Sequence, residues 1–179
     1  TLLELPHNSG LVPTAAGDRD YAATIVRNFL YSALMVPLWS KLQSSKNAQL
    51  AAIAAKSFKE ALYHLRHSRD WLVRMGDGTA ESHERAQRAL NHFMPFVQEF
   101  WTHSDMEAAA AAAGVGFDVR ALQGDFDTML NEALAEATLQ RPAAGGYVTT
   151  GKHGVHSEHL DFVLSEMQSL ARAHPEAVW

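Results

Sequence analysis

The sequence contains no cysteine. That excludes disulfides, iron–sulfur clusters and thiol nucleophiles, and it suits a cytosolic protein. No apolar run approaches the ~20 residues needed to cross a bilayer, and no signal peptide is visible. Strand-like alternation of polar and apolar residues is missing, as are internal repeats and coiled-coil heptads. A strong charge bias is missing too: the net charge of -5 favours neither nucleic acid nor an anionic membrane. What is abundant is histidine, with 10 in 179 residues, which makes metal a fair question. The chain opens at Thr1 rather than methionine, as a fragment or a processed product would.

Helical periodicity runs through nearly the whole chain. After an irregular lead-in over 1–18, with Pro6, Asn8, Gly10, Pro13 and Gly17, a first helix is predicted from Tyr21 to about Gln43. Asp18 or Asp20 is its cap, and Ile25, Phe29, Ser32, Val36 and Trp39 form its inner stripe. A second helix spans Asn47 to Met75, with Leu50, Ala54, Ser57, Ala61, His64, Ser68 and Met75 inward. A third runs from a Thr79 cap to Phe100, and kinks are expected at Pro37 and Pro95. Ser104 to Glu107 reads as a capping box before a short alanine-rich helix suited to tight packing. Asp118 caps a fifth helix to about Leu139, with Leu122, Phe126, Met129, Leu130, Ala133 and Ala137 inward. A Gly-rich loop over 140–156 follows, including Gly145, Gly146, Gly151 and Gly154. Ser157 then caps a last helix to about Ala173, whose core face is Leu160, Val163, Leu164, Met167 and Leu170. The expectation is an all-α bundle of long antiparallel helices in one domain over 1–179.

Three groups of residues invite a chemical role. Glu60, His64 and His67 share one face of the second helix, but one helix supplies only one edge of a metal site, and solvated or hydrogen-bonded side chains explain them equally. Lys152, His153, His156 and His159 flank a helix start, where free N–H groups attract anions; a rigid packing loop is the plainer explanation. Arg66, Arg69, Arg74, Arg85 and Arg88 interleave with Asp70, Asp77, Glu81 and Glu84, as on a solvated, salt-bridged face.

Three blocks together carry a family resemblance. They are the helix Tyr21 to Leu42, the stretch Leu50 to Ser68 continuing through Trp71-Leu72 and Gly76-Asp77-Gly78-Thr79, and Gly151 to Leu160 with Glu166-Met167-Gln168. In order and extent they resemble the C subunit (PaaC type) of bacterial phenylacetyl-CoA epoxygenase, the ring 1,2-phenylacetyl-CoA epoxidase. The resemblance implies a ferritin-like fold that here lacks an N-terminal helical segment, leaving apolar surface on the first two helices uncovered.

The same resemblance bears on chemistry. In the family's catalytic A subunit, the helix corresponding to the second one here carries a Glu-x-x-His pair, and the preceding helix adds a carboxylate. Those positions look like Ala61, His64 and Ser32 in this sequence, a degenerate ligand set. The resemblance therefore implies a non-catalytic subunit with no catalytic, metal or cofactor residue of its own. It would pair with the di-iron A subunit in a cytoplasmic monooxygenase complex, with further subunits and an NADPH-fed reductase, and without nucleic acid or membrane. Lys152, His153, His156 and His159 are then candidates for partner or anion contact. Two alternatives stand beside this: a metal-dependent oxidase using Glu60, His64 and His67, and a module whose basic loop touches a CoA substrate.

Overall fold

The computed structural model describes residues 1–5, 20–143, 145 and 148–178. Most of the predicted lead-in, with Asp18, and Gly146 of the Gly-rich loop lie outside the described residues. The described residues form six α-helices: α1 (Tyr21–Leu42), α2 (Ala48–Gly76), α3 (Ala80–Phe93), α4 (Asp105–Ala112), α5 (Gln123–Glu136) and α6 (His159–Ala173). Short 3-10 segments lie at Met94–Trp101, Val119–Leu122 and Gly151–His153, and no strand occurs among the described residues.

Side-chain caps fix the starts of α1 to α4. Asp20 accepts the Ala22 N–H at 3.0 Å and Asn47 accepts the Leu50 N–H at 3.0 Å. At α3, Thr79 Oγ1 accepts the Ser82 N–H and Ser82 Oγ accepts the Thr79 N–H, a reciprocal box in which serine replaces the usual Glu or Gln. Ser104 caps α4 by accepting the Glu107 N–H, but the Glu107 carboxylate takes the Ser104 hydroxyl instead of reaching back to the backbone.

The two internal prolines behave differently. Helix α1 runs on through Pro37 to Leu42. At Pro95 the chain leaves the α-helix and tightens into the 3-10 segment Met94–Trp101. There the proline sits in a first turn, where its missing N–H leaves no bond unmade.

Helix α1 is the centre of the core. It lies along α2 over most of its length and also touches α3 and α5. Tyr21, at the start of α1, meets Trp71, near the end of α2, edge-on at 5.6 Å, so the two long helices are antiparallel. Ile25, Phe29 and Leu30 of α1 interlock with Leu72, Leu90, Phe93, Phe126 and Leu130, all fully buried. Each such side chain contributes roughly 1.5–3 kcal/mol through removal from water. The expected inward residues of α5 are buried apart from Met129, which is half-buried.

Three packing expectations are corrected. His64, placed on the inner stripe of α2, is exposed, because the stripe turns outward there between Ala61 and Ser68, which are buried. The alanine-rich α4 buries no residue, since methyl groups alone give the neighbouring elements too little surface to grip. The intended core face of α6 is not a core face: Val163, Leu164, Met167 and Leu170 are exposed and Leu160 is half-buried, because no layer of helices among the described residues covers α6. Exposed apolar side chains also stand on α2, at Ile53, Leu62, Tyr63 and Trp71, and at Tyr21 of α1.

The end of α2 is closed by a backbone contact that only glycine permits. A Cβ on Gly76 would lie 2.2 Å from the Ala137 carbonyl oxygen beyond α5. Its own carbonyl accepts from His83 Nδ1 at 2.7 Å and the Thr138 hydroxyl at 3.2 Å. Replacing Gly76 with Ala is therefore expected to destabilise the fold by roughly 1–3 kcal/mol, despite alanine's better helix propensity. Urea unfolding of the variant checks this; a midpoint at or above that of the parent would show that α2 and α5 separate without cost.

Candidate functional site

The antiparallel register of α1 and α2 brings Ser32 and Ala61 to one groove of about 380 Å3. Ser32 and Ala61 form its buried wall, at 5% and 7% exposure. Asn28, Tyr31, Met35, Trp39, Ser57 and Ser68 complete the lining, and Glu60, His64 and His67 stand on its rim. Ser68 turns its hydroxyl back to the His64 carbonyl at 2.7 Å, so it offers nothing to the groove. On the outer surface Tyr63 stacks on His67 at 6.2 Å and meets His64 edge-on at 5.8 Å.

A di-iron pair requires several carboxylates converging from facing helices. The two buried wall residues, Ser32 and Ala61, carry a hydroxyl and a methyl group. One carboxylate, Glu60, remains, and it is exposed. Among the described residues no three His, Asp or Glu side chains stand close enough to share an ion. The donor set does not fit a di-iron centre, and Glu60, His64 and His67 do not assemble a metal site by themselves.

The Gly-rich segment has an internal purpose that the sequence did not announce. Glu99 and Glu4 clamp it to the bundle. Glu99 accepts from the Thr149 hydroxyl, from the Lys152 N–H at 2.9 Å and from the Thr1 nitrogen at 3.2 Å. Glu4 accepts from the Ser157 N–H at 2.8 Å, the Ser157 hydroxyl at 2.7 Å and His156 Nδ1 at 2.8 Å. Gly151 lies so close that a Cβ would meet Glu99 Oε1 and Thr1 at 2.7 Å. The Lys152 ammonium pairs with Glu107 at 2.8 Å and donates to the Thr102 carbonyl at 2.9 Å.

The four candidate contact residues therefore do not converge. Lys152 and His156 are each bound to a carboxylate, His153 is exposed, and His159 is half-buried with Nδ1 lacking a partner. Glu4, Glu99 and Glu107 surround the segment with negative charge, the opposite of an anion cradle. Ser157 does not cap α6; its N–H and hydroxyl go to Glu4, and α6 begins after Glu158 without a side-chain cap. One local signal did point to Glu99. It is the lone acid in the apolar run Met94–Trp101, and it is 5% exposed.

Burial pushes both carboxyls up, but the hydrogen bonds outweigh it. For Glu4, the bonds from His156 and Ser157 bring the carboxyl down to about 2. For Glu99, the bonds from Thr149 and Thr1 also make the net shift downward. The arginine face is salt-bridged as expected, though mostly with other partners. Arg69 pairs with Glu136, Arg85 with Glu81 and Asp20, and Arg88 with Asp20, while Arg74 lies over the Trp71 ring.

Comparison with known proteins places this geometry in context. A family model described as "Phenylacetic acid catabolic protein" matches residues 1–179. The chain is also similar to the C subunit of the 1,2-phenylacetyl-CoA epoxidase of Escherichia coli (strain K12). The two are 39% identical over 171 residues, covering 96% of this chain and 69% of that protein.

The Glu4 clamp makes stability depend on pH. Its folded carboxyl titrates at about 2 against an ordinary 4.5, so its contribution is complete above the higher value and is lost as pH falls through the lower. Glu4→Gln is expected to cost roughly 1–3 kcal/mol at neutral pH. The difference from the parent should shrink when urea unfolding is repeated near pH 3. A difference independent of pH would show that the clamp does not act through its charge.

Proposed function

The chain belongs to the phenylacetic acid catabolic protein family, and from that premise we propose that it is the non-catalytic subunit of a multicomponent phenylacetyl-CoA 1,2-epoxidase, assembled in the cytoplasm. Its helices form the family's ferritin-like fold, and its role lies in phenylacetate catabolism. In this reading it pairs with and stabilises the di-iron A subunit. The complex inserts one oxygen atom from O2 into the ring of phenylacetyl-CoA, and a reductase subunit brings electrons from NADPH. No helix among the described residues is long and apolar enough to cross a membrane.

The observation that carries this reading is the groove wall. The α1–α2 pair is present, and Ser32 and Ala61, which the resemblance matches to ligand positions of the catalytic subunit, stand buried in its groove as a hydroxyl and a methyl group. A hydroxyl and a methyl group cannot balance the charge of two iron ions. What the pair retains is a rigid, well-packed body suited to supporting a partner's helices. The two alternatives gain nothing from the geometry. Among the described residues Glu60, His64 and His67 do not gather around one point, and the segment offered for CoA phosphates is ringed by Glu4, Glu99 and Glu107.

Two measurements test the proposal. Purified alone from iron-replete medium, the protein is expected to contain only background iron by elemental analysis. About two irons per chain would overturn the non-catalytic reading. In the complex with the A subunit, His64→Ala and His67→Ala are expected to leave epoxidation within about twofold of the parent, because exposed residues away from the chemistry contribute little. A loss of about a hundredfold with the complex intact would place these imidazoles in the reaction.

A further inference from the structure

Helix α6 stands apart from the core. It buries no residue, and Phe162 is 61%, Met167 76% and Leu170 57% exposed. Val163, Met167 and Leu170 recur at helical spacing, so they form one apolar stripe with Phe162 at its border. Two more exposed apolar residues adjoin the base of the helix. Val155 precedes His156 and Leu3 precedes Glu4, and the His156–Glu4 bond ties those two stretches together.

We propose that this stripe, extended by Val155 and Leu3, is the surface that docks the A subunit, through an apolar groove on that subunit rimmed by lysine and arginine. The inference rests on the reading of the chain as an epoxidase subunit. Charge selects the partner's chemistry. Glu158, Asp161, Glu166 and Glu176 lie on α6 or beside its ends, against Arg172 as the one lysine or arginine there. None of these five has an ion-pair partner among the described residues. An anionic membrane or a nucleic acid would be repelled, and a second α6 would bring the same acidic excess against itself.

Size points the same way. A 15-residue helix is ~22 Å long, and a stable interface needs about 800 Å2 from each partner. Two α6 stripes laid side by side fall short of that. A groove that wraps the helix and reaches Val155 and Leu3 covers more of the chain. The Glu4 clamp adds preorganisation: by fixing Ser157, it holds the base of α6 to the bundle before any partner arrives, which lowers the ordering cost of docking.

The test measures binding of the A subunit to the full chain and three variants, with sedimentation of each protein alone. Met167→Glu with Leu170→Glu is expected to weaken binding at least tenfold. Glu158→Lys with Glu166→Lys is expected to weaken it by a similar factor and to flatten its salt dependence. Tyr63→Glu, on the exposed side of α2, is expected to bind as the parent does. All substituted side chains are exposed, so unfolding midpoints should be unchanged, separating lost docking from lost folding. Binding by the parent but equally by the α6 variants overturns the docking surface and leaves the proposed function standing. No binding by the parent overturns both. A parent homodimer that Met167→Glu with Leu170→Glu dissociates makes a second copy the occupant, and the proposal is wrong.

Discussion

The rest of the molecule depends on the close antiparallel packing of α1 against α2. Two helices approach each other closely where one of them presents small side chains to the other. Ala54, Ala61 and Ser68 do that from α2, and all three are buried. With α2 so close on one flank, α1 still has Phe29 and Leu30 to give to α3 and α5. The core is thus assembled on α1, and its remaining elements arrange themselves about that helix.

The same packing bears on the proposed loss of metal-binding chemistry. A site between two helices needs room and charge at mid-height. Here the room persists as a groove, but Ser32 and Ala61 close its wall with groups that need no partner ion. Burying a carboxylate without a cation would cost several kcal/mol. Small uncharged residues avoid that penalty and leave the helix pair stable by itself. The acids drawn inward are elsewhere, Glu99 buried and Glu4 half-buried, and both hold backbone N–H groups and side chains of the chain itself.

Much of this was legible in the sequence. The helix starts at Asp20, Asn47 and Thr79 follow from side chains that satisfy free N–H groups locally, and local rules are what sequence patterns express. The Ser32 and Ala61 pairing followed from resemblance, and the groove places both residues together. What was not legible depended on neighbours. The stripe on α6 has the spacing of a core face, and periodicity cannot tell whether anything covers it. His64 sits near the buried stripe, but α2 is covered on one side only. The Gly-rich segment seemed free because its partners, Glu4 and Glu99, are far away in sequence.

That last separation has a kinetic consequence. The α1–α2 pair closes over a short connection, so it can form early. The bond from Ser157 to Glu4 joins residues 153 positions apart, and the bond from Lys152 to Glu99 joins residues 53 apart. Contacts that close long stretches of chain form late, after local structure has reduced the distance to be searched. The Ser157–Glu4 bond is thus expected to form late, once the bundle has brought its two ends together. Its loss would shorten the lifetime of the folded chain while leaving the rate at which the bundle forms nearly unchanged.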